Sequence, residues 1–308
     1  QSRSGHDTGT SQTAVTTGGF DPPLHKRGGK QMRFTKMEGC GNDYIYINGF
    51  EEEIKHPDLL AVAMSERHFG VGADGLVLIL PSQQADFRMR MFNLDGSEGE
   101  MCGNAVRCIG KYVYERGMTQ KDRITLETLG GIKTLQLHIQ QKEVIAVTAD
   151  MGEPILEAEQ IPVRSERSLV IGEQMQILDR MFSFTCVSMG NPHAVTFVED
   201  IAGLDVEKYG SIAETAPIFP KKANIEFVQV IDRTHLSMRV WERGSGETLA
   251  CGTGASAALV AAVLNGLCER KVRIQLLGGT LEVEWRESDH HIYMTGPARF
   301  SFDGVWLR

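Results

Sequence analysis

Residues 99–114, GEMCGNAVRCIGKYVY, and 247–263, ETLACGTGASAALVAAV, each set a Cys-Gly pair on the threshold of a helix-like run. Cys102-Gly103 recurs as Cys251-Gly252 and Gly41-Asn42 recurs as Gly190-Asn191, in each case 149 positions on. Phe92-Asn93 and Trp241-Glu242 keep that offset, and so do Gly75 and Asn224, each followed by a strand-like run (LVLIL and IEFVQV). A period this long is no solenoid repeat and marks a duplicated domain. The chain is predicted to fold as two similar lobes.

Strand patterns dominate both copies, mostly alternating or β-branched: YIYING, LVLIL, FRMRMF, TLQLHI and VIAVTAD in the first, HAVTFVED, IEFVQVI, LSMRVWE, TLEVEW and HIYMTG in the second. Helices are predicted over residues 57–68, after Cys102 and after Cys251, the last Ala-rich and apolar on most faces, as a buried helix should be. The expected class is α/β (α+β): two pseudo-symmetric lobes, residues 32–146 and 147–296, each a curved, mostly antiparallel sheet wrapped around a central helix. Residues 1–31 are rich in Gly, Ser and Thr without periodicity or an apolar core, and read as a disordered leader, either an appended segment or a transit peptide.

A net charge of −8 leaves no basic stripe for nucleic acid or an anionic membrane, so small molecules are the expected partners. The most apolar run, Ala255 to Leu264, is about half the roughly 20 residues a spanning helix needs. Six cysteines without an export signal imply a reducing, cytoplasmic setting, and their spacing offers no zinc site.

A cysteine at a helix N-terminus meets unpaired N–H groups and the positive end of the macrodipole, so its pKa is expected to fall. Flanking glycines let a ligand approach, and the same N–H groups can hold a carboxylate. With Cys102 and Cys251 facing each other, the Cα of a bound amino acid would lie between two thiols. Racemisation needs that geometry, one acid–base group per face, and a thiol titrates near neutral pH. Two helix N-termini aimed at the substrate carboxylate would stabilise the developing charge, so no cofactor or metal is called for. His193 in MGNPHAV and Glu242 in VWERGSGE are candidate proton-transfer or orienting groups. Asn42, Asn93, Asn104, Asn191 and Asn224 stand at equivalent or near-equivalent motif positions and suggest a polar pocket for amino and carboxylate groups, with Arg243 able to grip a carboxylate in bidentate fashion.

GVGADG (residues 70–75) fits the dinucleotide pattern G-x-G-x-x-G, yet a helix-like segment precedes it and a strand-like one follows, the reverse of a nucleotide-binding turn. Two other readings stay open. A cysteine hydrolase could pair one thiol with His193 but leaves the second cysteine idle. A two-lobed amino-acid-binding protein would explain the asparagines but not the paired thiols.

KMEGCGNDYIYIN, RHFGVGADGL, FNLDGSEGEMCGNAVRC, MGNPHAV, NIEFV, WERGSGETLACGTGASA and MTGPA closely resemble the diaminopimelate epimerase family over nearly the whole chain from Met32. The resemblance implies a PLP-independent isomerase of lysine and peptidoglycan-precursor biosynthesis, interconverting LL- and meso-diaminopimelate with Cys102 and Cys251 as one thiolate and one thiol, assisted by His193 and Glu242. It further implies that backbone N–H groups of Gly103, Asn104, Gly252 and Thr253 hold the reacting carboxylate. Asn42, Asn93, Asn191, Asn224 and Arg243 would hold the distal end, a homodimer would form, and a final strand near 297–308 would return to the first lobe. Thr253 stands where other members carry Ser.

Overall fold

The computed structural model describes residues 31–307, so the disordered reading of the first thirty residues falls outside the described part of the chain. The first repeat runs β1 (Met32–Gly39), β2 (Asn42–Asn48), α1 (Pro57–Ser65), β3 (Gly75–Leu80), β4 (Phe87–Asn93), β5 (Glu98–Gly99), α2 (Gly103–Glu115), β6 (Arg123–Thr128), β7 (Gly131–Gln140) and β8 (Glu143–Gly152). After β9 (Glu173–Ile177) the order recurs as β10 (Arg180–Ser188), β11 (Pro192–Phe197), α3 (Val206–Glu214), β12 (Asn224–Asp232), β13 (His235–Glu242), β14 (Gly246–Thr248), α4 (Gly252–Leu264), β15 (Lys271–Leu276), β16 (Gly279–Trp285) and β17 (Ile292–Gly296), and β18 (Arg299–Trp306) follows.

The offset survives in three dimensions. Helices α1 and α3, and α2 and α4, begin and end 149 residues apart. Strand register is kept as well: Tyr44 pairs with Gly75 across the parallel β2–β3 ladder and His193 with Asn224 across β11–β12, while Leu76 faces Phe92 and Ile225 faces Trp241. A strand slipped by one residue would turn its buried set outward, so matched register means matched cores.

Helix α2 lies against β1, β7 and β8 and α4 against β10 and β16, and the strands of both repeats form one continuous 18-stranded sheet rather than the two separate sheets expected, because β8 and β17 pair across the repeats. Ala105, Val106, Ile109 and Val113 of α2 and Ala257, Ala258, Leu259 and Ala262 of α4 belong to one continuous apolar core. The repeats join through β8 and β17, which pair antiparallel, and through β18, which pairs with β1. Strand β18 thus does for the first repeat what β9 does for β10.

Two helix expectations need correction. The first helix stops at Ser65 rather than residue 68, because the chain turns back there and the amides of Val71 and Gly72 take the Met64 carbonyl. Helix α3 was not anticipated. Gly210 breaks its pattern, yet the glycine serves packing: a Cβ there would lie 2.5 Å from Cβ of Trp241. The segment after GVGADG enters β3, so the loop does not leave a strand to open a helix.

Candidate active site

Both cysteines occupy the same backbone seat. Cys102 caps α2 at φ −131°, ψ 123° and Cys251 caps α4 at φ −122°, ψ 113°. This extended cap points the first-turn N–H groups of each helix past the thiol, and in α4 one of them, from Gly254, donates to the Cys251 sulfur. The helix ends abut: a Cβ on Gly252 would lie 3.5 Å from Cα of Gly103, and one on Gly103 would lie 2.7 Å from Cε of Met294 beneath them. A side chain at either glycine would meet the end of the Met294 side chain first, while the facing helix lies at ordinary van der Waals distance.

Above this junction is a cavity of about 630 Å³ whose wall includes both thiols. Asn42, Asn93, Asn104, Asn191, Gly103, Gly252, Thr253, Glu242 and Arg243 line it too. Asn42, Asn93, Glu242 and Arg243 also border an adjoining cleft of about 850 Å³. Two candidates are not on these walls. His193 is fully buried behind Asn191, and Asn224 has its amide occupied by the Pro192 carbonyl (3.1 Å) and the Arg243 backbone N–H (2.8 Å).

Polar contacts tie the wall together. Asn42 Oδ1 accepts from Cys102 Sγ (3.4 Å) and from Asn104 Nδ2 (3.2 Å), while its own Nδ2 donates to Asp74 (2.8 Å). Asn104 Oδ1 accepts from Arg107 Nη2 (2.7 Å). Asn93 donates to Ser97 Oγ (3.0 Å). In the second repeat Gly254 N–H donates to Cys251 Sγ (3.4 Å), Thr253 Oγ1 lies 3.5 Å from the same sulfur, and the Thr248 hydroxyl donates to Glu242.

The expected fall in thiol pKa is overturned. Burial pushes the Cys102 thiol up, although the Ala105 and Asn104 N–H groups and the Arg107 cation pull it down. Burial pushes Cys251 well up, reinforced by the charges of Glu242 and Glu226 and opposed by Thr253 and the Gly254 N–H. Glu242 is raised by burial, against hydrogen bonds from Thr248 and Cys251 and the nearby His193. Desolvation outweighs the helix terminus where the two repeats meet.

A model of the family described as diaminopimelate epimerase matches residues 34–157 and 185–301. The chain belongs to the diaminopimelate epimerase family. A diaminopimelate epimerase of Acetivibrio thermocellus is 60% identical over 273 residues, covering 89% of this chain and 98% of the relative. Solved structures extend the fold beyond the diaminopimelate epimerase family. A Bacillus anthracis phenazine biosynthesis protein of the PhzF family has a TM-score of 0.66 at 18% identity, covering 91% of this chain and 100% of that one. A probable proline racemase of Agrobacterium radiobacter K84 also scores 0.66, at 15% identity with coverage of 89% and 92%.

This member of the diaminopimelate epimerase family also carries residues at the site that the sequence reading did not single out. Tyr44 lines the cavity at the position corresponding to His193, and burial raises its hydroxyl pKa well above the ordinary value. Lys133 reaches the same wall, with its ammonium pKa lowered by burial. Arg107, inside the MCGNAVRC motif, is fully buried under Cys102. Glu226, inside NIEFV, is fully buried behind Cys251. The offset would have found Tyr44, whereas nothing in the sequence separates Arg107 from Lys111 and Glu115 of the same helix or marks Glu226 as turned inward.

Proposed function

We propose that the chain interconverts LL- and meso-2,6-diaminopimelate by a two-base mechanism that draws on no cofactor. One observation carries this reading: two cysteine-capped helix N-termini meet at Gly103 and Gly252, and both thiols open on one cavity. One sulfur, as thiolate, takes the Cα proton and becomes a thiol. The opposite thiol gives its proton to the other face and becomes a thiolate, so the proton count is conserved and the enzyme ends with its two sulfurs exchanged in state. Backbone N–H groups of Gly103, Asn104, Gly252 and Thr253 hold the carboxylate and stabilise the charge that develops at Cα.

Asn42, Asn93, Asn191 and Arg243 grip the distal amino-acid end, with Asn224 fixing the Arg243 backbone. Glu242 and His193 support proton transfer at Cys251. A hydrolase reading is disfavoured by His193, whose two ring nitrogens contact Glu226 and Asn191 rather than a sulfur. The lobe boundaries 32–146 with 297–308 and 147–296, a homodimer, cytoplasmic residence and independence of nucleic acid and membrane belong to the same proposal. Analytical ultracentrifugation at micromolar concentration reads the oligomeric state, and a monomer would remove that part.

The deciding experiment is proton NMR in D2O with LL-diaminopimelate and without PLP. Deuterium entering one α position alongside meso product is the expected result, lost in both Cys102→Ala and Cys251→Ala. Wild-type protein that exchanges no deuterium would refute the reading.

A further inference from the structure

Glu226 on β12 is the one fully buried carboxylate among the described residues, and the chemistry above gives it no task. Its Oε1 lies 2.7 Å from His193 Nδ1, and Oε2 has no hydrogen-bond partner among the described residues. It presses against the first turn of α4, where a Cβ on Gly254 would lie 2.7 Å from Oε1. The corresponding residue in the first repeat is Val77, so the acid is particular to the Cys251 side. A buried carboxylate with an unmet oxygen is costly unless a cation faces it.

From Glu226 a chain of contacts leads to a catalytic sulfur. His193 Nε2 lies 3.0 Å from Asn191 Oδ1, Asn191 Nδ2 donates to Thr253 Oγ1 at 3.3 Å, and Thr253 Oγ1 lies 3.5 Å from Cys251 Sγ. A carboxylate and an amide oxygen can only accept, so the ring between them satisfies both by carrying a proton on each nitrogen. Thr253 then receives the amide hydrogen and has its own proton free for the sulfur. We propose that Glu226 is a positioning residue: by holding His193 as an imidazolium it fixes the direction of this chain, so that the Thr253 hydroxyl donates to a Cys251 thiolate.

Reversing every link gives the alternative state. Cys251 S–H donates to Thr253, Thr253 donates to a flipped Asn191, and the Asn191 amide donates to a neutral His193. The two states hold the same number of protons, one of which resides on His193 in the first and on Cys251 in the second. The Glu226 charge favours the first and, paired with the imidazolium, no longer opposes the thiolate. Besides His193, the titratable groups around Glu226 are Cys251 at the cap of α4, Glu242 on β13 and Cys186 on β10.

This role rests on reading Cys251 as a catalytic base, and the test separates the two ideas. Two-bond proton–nitrogen correlation on ¹⁵N-histidine-labelled protein at neutral pH, with His193 assigned by His193→Gln, reads the ring directly. Protons on both ring nitrogens are expected in the wild type and one in Glu226→Gln. A neutral His193 in the wild type overturns the proposal whether or not the protein turns over diaminopimelate, and that spectrum decides even if Glu226→Gln fails to fold. In kinetics, Glu226→Gln should lower kcat roughly 10- to 100-fold with KM within about 3-fold, and Glu226→Asp should recover part of it. A loss confined to KM would instead overturn the role.

Discussion

Cys102 and Cys251 share a backbone seat and differ in the charges packed beneath it. Under Cys102 lies Arg107, whose guanidinium donates to the Gly103 carbonyl (3.0 Å), Asn104 Oδ1 and the Pro297 carbonyl (3.3 Å), with no carboxylate at ion-pair distance among the described residues. Under Cys251 lie two carboxylates, Glu226 and Glu242, and a histidine. Burial and the Glu242 charge raise both thiols, but Arg107 offsets them at Cys102 whereas Glu226 adds to them at Cys251, which is raised further. The repeat keeps the geometry that sets each sulfur on the cavity wall, and the electrostatics beneath differ. On the chain of contacts proposed for His193, a thiolate at Cys251 would depend on that histidine in a way that one at Cys102 would not.

Removing either sulfur is the harshest challenge to this comparison. Cys102→Ala and Cys251→Ala should each lower kcat/KM by about 10³-fold or more, within the range general acid–base groups contribute. An enzyme that tolerated one of the two would show that only one face carries a base. Next in size is the junction of the helices. Gly103→Ala and Gly252→Ala push a methyl into the end of the Met294 side chain, and because a displacement of about 1 Å at a reacting site costs up to about 10²-fold, partial relaxation of Met294 should leave a rate loss of about 10-fold. Turnover measured beside melting temperature should show rate falling far more than stability, and equal falls would mark the contact as mere packing.

Arg107→Met tests the cation itself. Loss of a buried group that donates to three oxygens and to the sulfurs of Met294 and Cys40 should cost about 2–4 kcal/mol in urea unfolding. Because Arg107 lowers the Cys102 pKa, its removal should raise that pKa and shift the thiolate-dependent limb of the rate profile to higher pH. A limb that stayed in place would assign it to Cys251.

The smallest effect concerns the thiols away from the cavity. Burial pushes Cys108 and Cys186 up to about 12, against about 8.5 in an unfolded chain. The folded state binds these protons more tightly, so their contribution is complete below about pH 8.5, declines above it and is gone once the folded value is passed. Melting temperature should fall on that alkaline side, less steeply in Cys186→Ala. An unchanged slope in the variant would locate the alkaline loss elsewhere.

The duplication was legible because Cys-Gly, Gly-Asn and an aromatic residue before a polar one recur at one offset. The same offset maps α1 onto α3, whose helical pattern is broken in the sequence by Gly210, a residue packed against Trp241. The cavity wall was legible because its chemistry rests on short polar motifs at helix caps and strand ends. Arg107 and Glu226 were not, since a sequence does not reveal which charged residue is turned inward. The thiol pKa values were misjudged for a related reason: a helix terminus can be read from a sequence, whereas the desolvation that outweighs it depends on the closure of two distant repeats.

Strand β18 has a consequence in time. Its Asp303 takes the Thr35 hydroxyl at 2.7 Å across a separation of 268 residues, and β18 supplies the ladder along one side of β1. During synthesis from the N-terminal end, β1 therefore waits with one side unpaired until nearly every other described residue has been made. Such an edge can recruit another strand. A ribosome stalled between the emergence of β8 and the synthesis of β18 would hold a first repeat whose β1 edge is still open to another strand.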